Sequence, residues 1–318
     1  MRLLLFFLPV SLALLPASPF DEDLVRNKIF VLAAASYIDD ATTCLNNHFE
    51  NASAPSMVIT ECDSWDDKCG AYVTVLHEER AIVIAFRGTR GPEQLLLEIE
   101  QITVKPLIAS PAGGNIGDYF YNSWLTLWTS GIKNAFLEQA RAFPDYDLWI
   151  TGHSLGGSMA SITASYISFT GTFPLEKIKL FTFGQPRTGD AAYAAAVDSQ
   201  VSLIFRVTHL RDIVPHVPPH FLNFAHHREE VFYPNDMDVN DPFQICPGDE
   251  NDSCSNDYLD ESVIDHLWYY GKHFRHYAEA DCLETSKNTD RSRDYETAET
   301  RFVNDMLKRM AKRPVSRK

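Results

Sequence analysis

The sequence predicts an α/β fold with a mostly parallel central sheet, helices on both faces and an antiparallel hairpin near the N-terminus. Three observations carry that expectation. Apolar runs of strand length alternate with amphipathic helical stretches between residues 71 and 208, the pattern of strands joined by crossover helices. Two strand-like runs near the start flank a four-residue polar turn, which suits a hairpin. Finally, Asp147-Leu148-Trp149-Ile150 leads into Thr151-Gly152-His153-Ser154-Leu155-Gly156-Gly157 and then into small residues. That succession reads as a strand, a sharp turn and a closely packed helix.

The elements follow in order. Residues 1–17 hold Arg2, an apolar run from Leu3 to Leu15 and small residues near Ala17-Ser18, the layout of a cleaved secretory leader. The run is short for a membrane span, and no later stretch is long enough to cross a bilayer. Leu24, Ile29, Phe30, Leu32, Ala33 and Tyr37 have helical spacing and predict a first helix over 24–38. Residues 71–76 and 81–86 form the hairpin around His77-Glu78-Glu79-Arg80; the second strand is apolar on both faces, as a central strand is. A helix is expected over about 122–142, stopping before Pro144. Next come the strand and helix about Ser154, a strand at 178–183, a helix through Ala191–Val197 and a strand at 201–208. The chain from Asn235 to Asp260 reads as an acidic loop. Asp236-Met237-Asp238-Val239-Asn240 imitates a calcium loop, but Asp241 stands where glycine is needed and Pro247 where glutamate is. Residues 18–283 are therefore read as one domain, with 284–318 as a polar linker and basic tail, disordered or partly helical.

Composition narrows the class. The chain has 318 residues, 45% of them hydrophobic and 22% charged, enough for a large buried core. A net charge of −15 argues against nucleic acid as a partner, since phosphates need a basic face. The last eighteen residues run the other way, with seven Lys/Arg against one Asp. Phe302, Val303, Met306, Leu307 and Met310 fall there at helical spacing, so the tail could make weak contact with an anionic surface. Six cysteines in an exported chain suggest three disulfides, and no C-x-x-C pair supports zinc. Cys62–Cys69 and Cys246–Cys254 would close small loops and Cys44–Cys282 would tie the ends, although six cysteines allow fifteen pairings. Asn51-Ala52-Ser53 and Asn251-Asp252-Ser253 make Asn51 and Asn251 glycosylation candidates.

Gly152-His153-Ser154-Leu155-Gly156 has the Gly-x-Ser-x-Gly spacing of a nucleophile elbow. A serine hydroxyl becomes nucleophilic when a turn exposes it, a base takes its proton and N–H groups await an oxyanion. In this order of elements the acid and then the base follow the serine. Asp212 stands just past a strand end, where ligands gather in open α/β sheets; Asp190 and Asp198 compete but lie on or beside a helix. Histidines 216, 220, 226, 227, 266, 273 and 276 all satisfy the spacing, which does not choose among them.

Several segments together resemble the fungal-type class 3 lipases, members of the α/β-hydrolase superfamily. They are Phe86-Arg87-Gly88-Thr89, Phe143-Pro144-Asp145-Tyr146 leading into the elbow, and Phe181-Thr182-Phe183-Gly184-Gln185-Pro186-Arg187. Asp212-Ile213-Val214-Pro215 with Pro218-Pro219, and His266-Leu267-Trp268-Tyr269-Tyr270-Gly271, complete the set in the family's order. The resemblance implies an α/β-hydrolase fold and hydrolysis of acylglycerol esters at a lipid–water interface, with no cofactor and no metal. It implies Ser154 as nucleophile, Asp212 as acid, His266 as base, and an oxyanion hole from Leu155 and Thr89. It also matches the family's disulfides to Cys44–Cys282 and Cys62–Cys69, and places a lid at Leu95, Leu96, Leu97 and Ile99. That segment lacks the tryptophan of the best-studied lids but keeps an apolar face, and the tail beyond Cys282 is absent from the short fungal enzymes. Phospholipase A1 and feruloyl-type esterase activities are the alternatives within the class. A non-catalytic secreted lipid-binding protein would be marked by a missing triad residue, and none is missing.

Overall fold

The computed structural model describes residues 20–62, 68–88, 105–246, 250, 253–257 and 262–285. The leader at 1–17, Thr89, the Leu95–Ile99 segment, Asn251 and the tail beyond 285 lie outside the described residues.

Eight strands form one sheet in the order β1-β2-β3-β6-β7-β8-β9-β10. They are β1 (Ser56–Glu61), β2 (Lys68–Leu76), β3 (Ala81–Phe86), β6 (Asp147–His153), β7 (Ile178–Phe183), β8 (Leu203–His209), β9 (Glu230–Tyr233) and β10 (Gln244–Cys246). The five strands β3, β6, β7, β8 and β9 run parallel, with β1-β2-β3 antiparallel at one end and β9-β10 antiparallel at the other. A separate small hairpin joins β4 (Leu107–Ala109) to β5 (Asn115–Gly117). The fold is thus the expected α/β-hydrolase class, with its antiparallel N-terminal hairpin at β2-β3.

All six residues of β3 are buried, and they alternate cleanly between two cores. Ala81, Val83 and Ala85 face a core with Phe30, Leu32, Phe181, Phe183 and Phe274. Ile82, Ile84 and Phe86 face the other, with Trp124, Phe136, Ile150, Met159 and Leu180. Each such large side chain contributes about 1.5–3 kcal/mol by leaving water, so the middle of the sheet is firmly held from both faces.

The helices that matter to the site pack on these faces. α1 (Glu22–Leu24) passes through a π-turn (Val25–Ile29) into α2 (Phe30–Ala35). The helix ends at Ala35, earlier than the predicted residue 38. There the Ser36 hydroxyl donates to the Ala33 carbonyl and the Tyr37 N–H reaches back to Ala34, tightening the last turn. α3 (Thr42–His48) follows. The single helix expected over 122–142 is two, α4 (Asp118–Leu127) and α5 (Lys133–Ala142), joined by a π-turn (Trp128–Ile132). Gly131 sits in that turn at φ 151°, a conformation side chains avoid. α6 (Leu155–Phe169) follows the elbow, and α7 (Ala191–Gln200) is capped by the Asp190 carboxylate. Near the end, α8 (Val263–Leu267) leads through the short pair β11 (Trp268–Tyr269) and β12 (Lys272–His273) to α9 (Phe274–Glu279).

The region from Asn235 is not wholly a loop, because β10 pairs with β9 and the Cys246–Cys254 disulfide pins it. Cys44–Cys282 and Cys62–Cys69 are also joined. Among the described residues no helix is long and apolar enough to cross a membrane.

Candidate active site

The sharp turn after β6 forms because two glycines let three backbones meet. A Cβ on Gly152 would lie 2.2 Å from the Gly156 carbonyl oxygen, and one on Gly156 would lie 2.2 Å from that of Phe86. The strand, the helix behind it and β3 therefore touch directly. Ser154 stands at the apex with φ 60° and ψ −132°, a sparsely populated conformation for a residue with a side chain. Its own N–H is held by the Phe183 carbonyl at 2.9 Å, so the strain is sustained by the neighbouring strand β7. Leu155 opens α6, where first-turn N–H groups lack partners within the helix and the dipole is positive.

Asp212 lies three residues past the end of β8. Its Oδ1 accepts the Val214 N–H at 2.9 Å, and its Oδ2 accepts from His266 Nδ1 at 3.0 Å and from the Tyr269 hydroxyl at 2.7 Å. Burial, aided by the carboxylate, pushes the Tyr269 hydroxyl well above its ordinary pKa, so it stays a donor. His266 must carry its proton on Nδ1 to meet the carboxylate, which leaves Nε2 as the basic nitrogen. Three donors thus fix one carboxylate, and the carboxylate fixes the tautomer of the imidazole.

The acid and base segments are also stitched together outside that bond. The Ser262 N–H donates to the Arg211 carbonyl at 2.6 Å, and Ile213 donates to the Ser262 carbonyl. Ser262 caps α8 by accepting the Asp265 N–H. Asp265, fully buried, accepts from both the backbone N–H and the guanidinium of Arg211. The residue before the acid is therefore clamped to the residue before the base. Gly184, at φ 52°, lies beneath this pair. A Cβ there would come 2.7 Å from Asp212 Oδ2 and 2.8 Å from His266 Nδ1.

Ser154 and His266 are each 1% exposed, and neither Ser154 Oγ nor His266 Nε2 has a hydrogen-bond partner among the described residues. A hydroxyl and an imidazole nitrogen are both enclosed and both uncommitted. Most of the competing residues are committed elsewhere. Asp190 caps α7 and holds Asn115, and Asp198 binds Arg228. His226 meets the Pro215 carbonyl, His227 lies between Gln185 and the Arg228 carbonyl, and His273 caps α9. His216 meets Asn256. Burial lowers the pKa of His216, His226 and His227. Of the further sites, Asn51 is exposed in a tight turn at φ 54°. Among the described residues no group of three or more His, Cys, Asp or Glu is arranged to hold a metal.

Sequence reasoning quoted Tyr269 and Gly184 within motifs without giving either a role, and it passed over Arg211 and Asp265. The adjacent pairs Arg211-Asp212 and Asp265-His266 are visible in the sequence, but their mutual contact depends on tertiary structure.

Comparison with known proteins follows the same line. A family model described as "Lipase (class 3)" matches residues 83–222. A lipase of Caenorhabditis elegans is 32% identical over 285 residues, covering 79% of this chain and 80% of the relative. A secreted mono- and diacylglycerol lipase of Fusarium solani is 29% identical over 205 residues, 63% of this chain and 60% of the relative. A solved triacylglycerol lipase, described as having a serine protease triad at its catalytic centre, superposes with a TM-score of 0.65 at 26% identity. That match covers 80% of this chain and 95% of the other.

Proposed function

The chain belongs to the class 3 lipase family and is a serine ester hydrolase, and from that premise we propose that it hydrolyses acylglycerol esters outside the cell through Ser154, His266 and Asp212. The observation that carries the reading is the buried His266–Asp212 hydrogen bond, with the His266 ring stacked on His153, the residue before the elbow serine. In this mechanism His266 Nε2 takes the proton of Ser154 Oγ as Oγ bonds to the ester carbonyl carbon. The carbonyl oxygen becomes an oxyanion facing the Leu155 N–H at the start of α6 and the Thr89 N–H and hydroxyl. Each such donor is worth roughly 3–4 kcal/mol to the transition state. His266 passes its proton to the departing alcohol oxygen as the ester C–O bond breaks. Water, deprotonated by the same nitrogen, then releases the fatty acid from Ser154.

Two features support a lipid substrate. The enclosure of Ser154 and His266 requires an opening movement before a long acyl chain can enter, and the apolar Leu95, Leu96, Leu97 and Ile99 suit a lid that opens onto lipid. The net charge of −15 favours neutral acylglycerols over anionic phospholipids. The leader at 1–17 supports export, as does the secreted Fusarium relative. Export in turn suits glycosylation at Asn51 and Asn251.

The test is covalent labelling with a fluorophosphonate, paired with hydrolysis of emulsified triglyceride and of a soluble short-chain ester. Ser154 is expected to label and Ser154→Ala to lose turnover by a factor on the order of 10⁶. Equal labelling of Ser154→Ala would refute the reading. A rise in rate once the triglyceride forms an interface supports the lid; strong turnover of the soluble ester with no such rise would assign an esterase.

A further inference from the structure

His153 precedes the elbow serine and faces the other way, into the protein. Its Nε2 lies 2.8 Å from the backbone carbonyl oxygen of His266, and its Nδ1 lies 2.6 Å from the Tyr37 hydroxyl. A carbonyl can only accept, so Nε2 carries the proton and Nδ1 accepts from Tyr37. The ring also stacks against that of His266, with centroids 4.4 Å apart, and against Phe274 at 3.9 Å. It is 1% exposed. Tyr37 reaches this spot because α2 stops at Ala35 and turns the chain toward the elbow. Its hydroxyl lies 2.5 Å from where a Cβ on Gly88 would be, beside the turn that leads to Thr89.

We propose that His153 is a positioning residue for His266, a strut that holds the base by its carbonyl and is itself held in the working tautomer by Tyr37. The inference deepens the reading of Ser154 and His266 and rests on it. His266 is in the last turn of a five-residue helix, too short to fix a ring unaided. Asp212 secures the imidazole at one nitrogen, and His153 secures the backbone from which it hangs. One turn of chain thus carries the nucleophile on one side and the base's anchor on the other, so the two cannot move apart independently. Burial holds His153 well below its ordinary pKa, with His266 adding to the effect. The titratable groups around the pair are Asp212 and His209 from the β8 side, Asp265 from α8, Tyr269 from β11, His273 at the start of α9, and Tyr37.

The experiment compares His153→Phe, His153→Gln and Tyr37→Phe with the parent on a soluble ester, recording kcat, KM, the acid limb of kcat/KM and the unfolding midpoint. His153→Phe keeps a ring against Phe274 but loses the N–H. A base released by about 1 Å costs roughly a hundredfold in kcat, with KM little changed. The acid limb moves to lower pH, because an imidazolium that drifts from Asp212 loses its counter-charge. His153→Gln keeps an N–H at similar reach and is expected to recover most of the loss. A purely structural role would lower the amount of active enzyme without moving the limb.

Unchanged kcat and acid limb in folded His153→Phe overturn the inference, as does His153→Gln behaving no better than His153→Phe. If His153→Phe does not fold, Tyr37→Phe decides. It removes a single oxygen, and it is expected to lower kcat severalfold and shift the limb the same way; no shift overturns the inference. Ser154→Ala runs alongside. Turnover that survives it refutes the reading of Ser154 itself, whereas an inactive Ser154→Ala with unaffected strut variants refutes the strut alone.

Discussion

At Gly184 one missing methyl group decides whether Asp212 and His266 can meet. The position combines a positive φ with a Cβ site 2.7 Å from the Asp212 carboxylate and 2.8 Å from the His266 ring. Alanine there must displace one of two groups whose distance matters to a fraction of an ångström. Gly184→Ala is expected to lower kcat/KM by about a hundredfold or more while costing about 1–3 kcal/mol of stability. Gly171 supplies the control, since it too has positive φ, at 62°, but nothing lies within 4 Å of its Cβ site. Gly171→Ala should therefore show a modest loss in urea midpoint and parental kcat/KM. Equal activity for the two variants would remove the packing argument.

Among elements, the acid and base segments depend on a side-chain clamp as much as on strand pairing. Asp265 is fully buried, while the Arg211 side chain is 38% exposed, so solvent screens part of their attraction. Asp265→Asn is expected to cost about 1–3 kcal/mol in urea unfolding and to lower kcat. Arg211→Gln in the same background should add little more, because the two residues act on one contact. Strict additivity in that cycle would show that the Arg211 guanidinium takes no part in the clamp. The clamp also marks where sequence reasoning stopped. β3, β6, β7 and β8 were legible because each is a largely apolar run bounded by turns, whereas the four-residue β9, also parallel, is too short to show itself. β1 went unrecognised because Ser56-Met57-Val58-Ile59-Thr60-Glu61 sits at the sheet edge with both faces half-exposed. β10, three residues with two exposed, is too short to show a period. The elbow was legible because its glycines are demanded by backbone contacts and so appear as letters. Choosing among seven histidines was beyond spacing alone; what singles out His266 in the structure is that its Nδ1 meets Asp212.

For the molecule as a whole, the buried histidines set its response to acid. His153, His216, His226 and His227 all have lowered folded-state pKa values, burial being the leading cause, and His227 falls to about 3. Unfolded, each would bind a proton near 6.5. The stability they confer is whole above that value and is lost as pH falls toward the folded values, because there the unfolded chain binds more protons. The denaturant midpoint is expected to be level from pH 8 to about 7 and to fall steeply between about 6.5 and 4. His227→Gln should make that fall shallower. A midpoint unchanged between pH 7 and 5 would contradict the account.

The bond between Cys44 and Cys282 spans 238 positions, which closes the chain between them into a covalent ring. A protease that cuts the ring once opens it without dividing it, so the two pieces stay tethered and at high effective concentration for each other. Such a nicked molecule would run as one species on a non-reducing gel and as two after reduction, and it could keep its sheet assembled in between. A cut outside the ring would instead leave the severed piece with no covalent tie, held by packing alone. Degradation from outside therefore requires two events within the ring, or one event and a reductant.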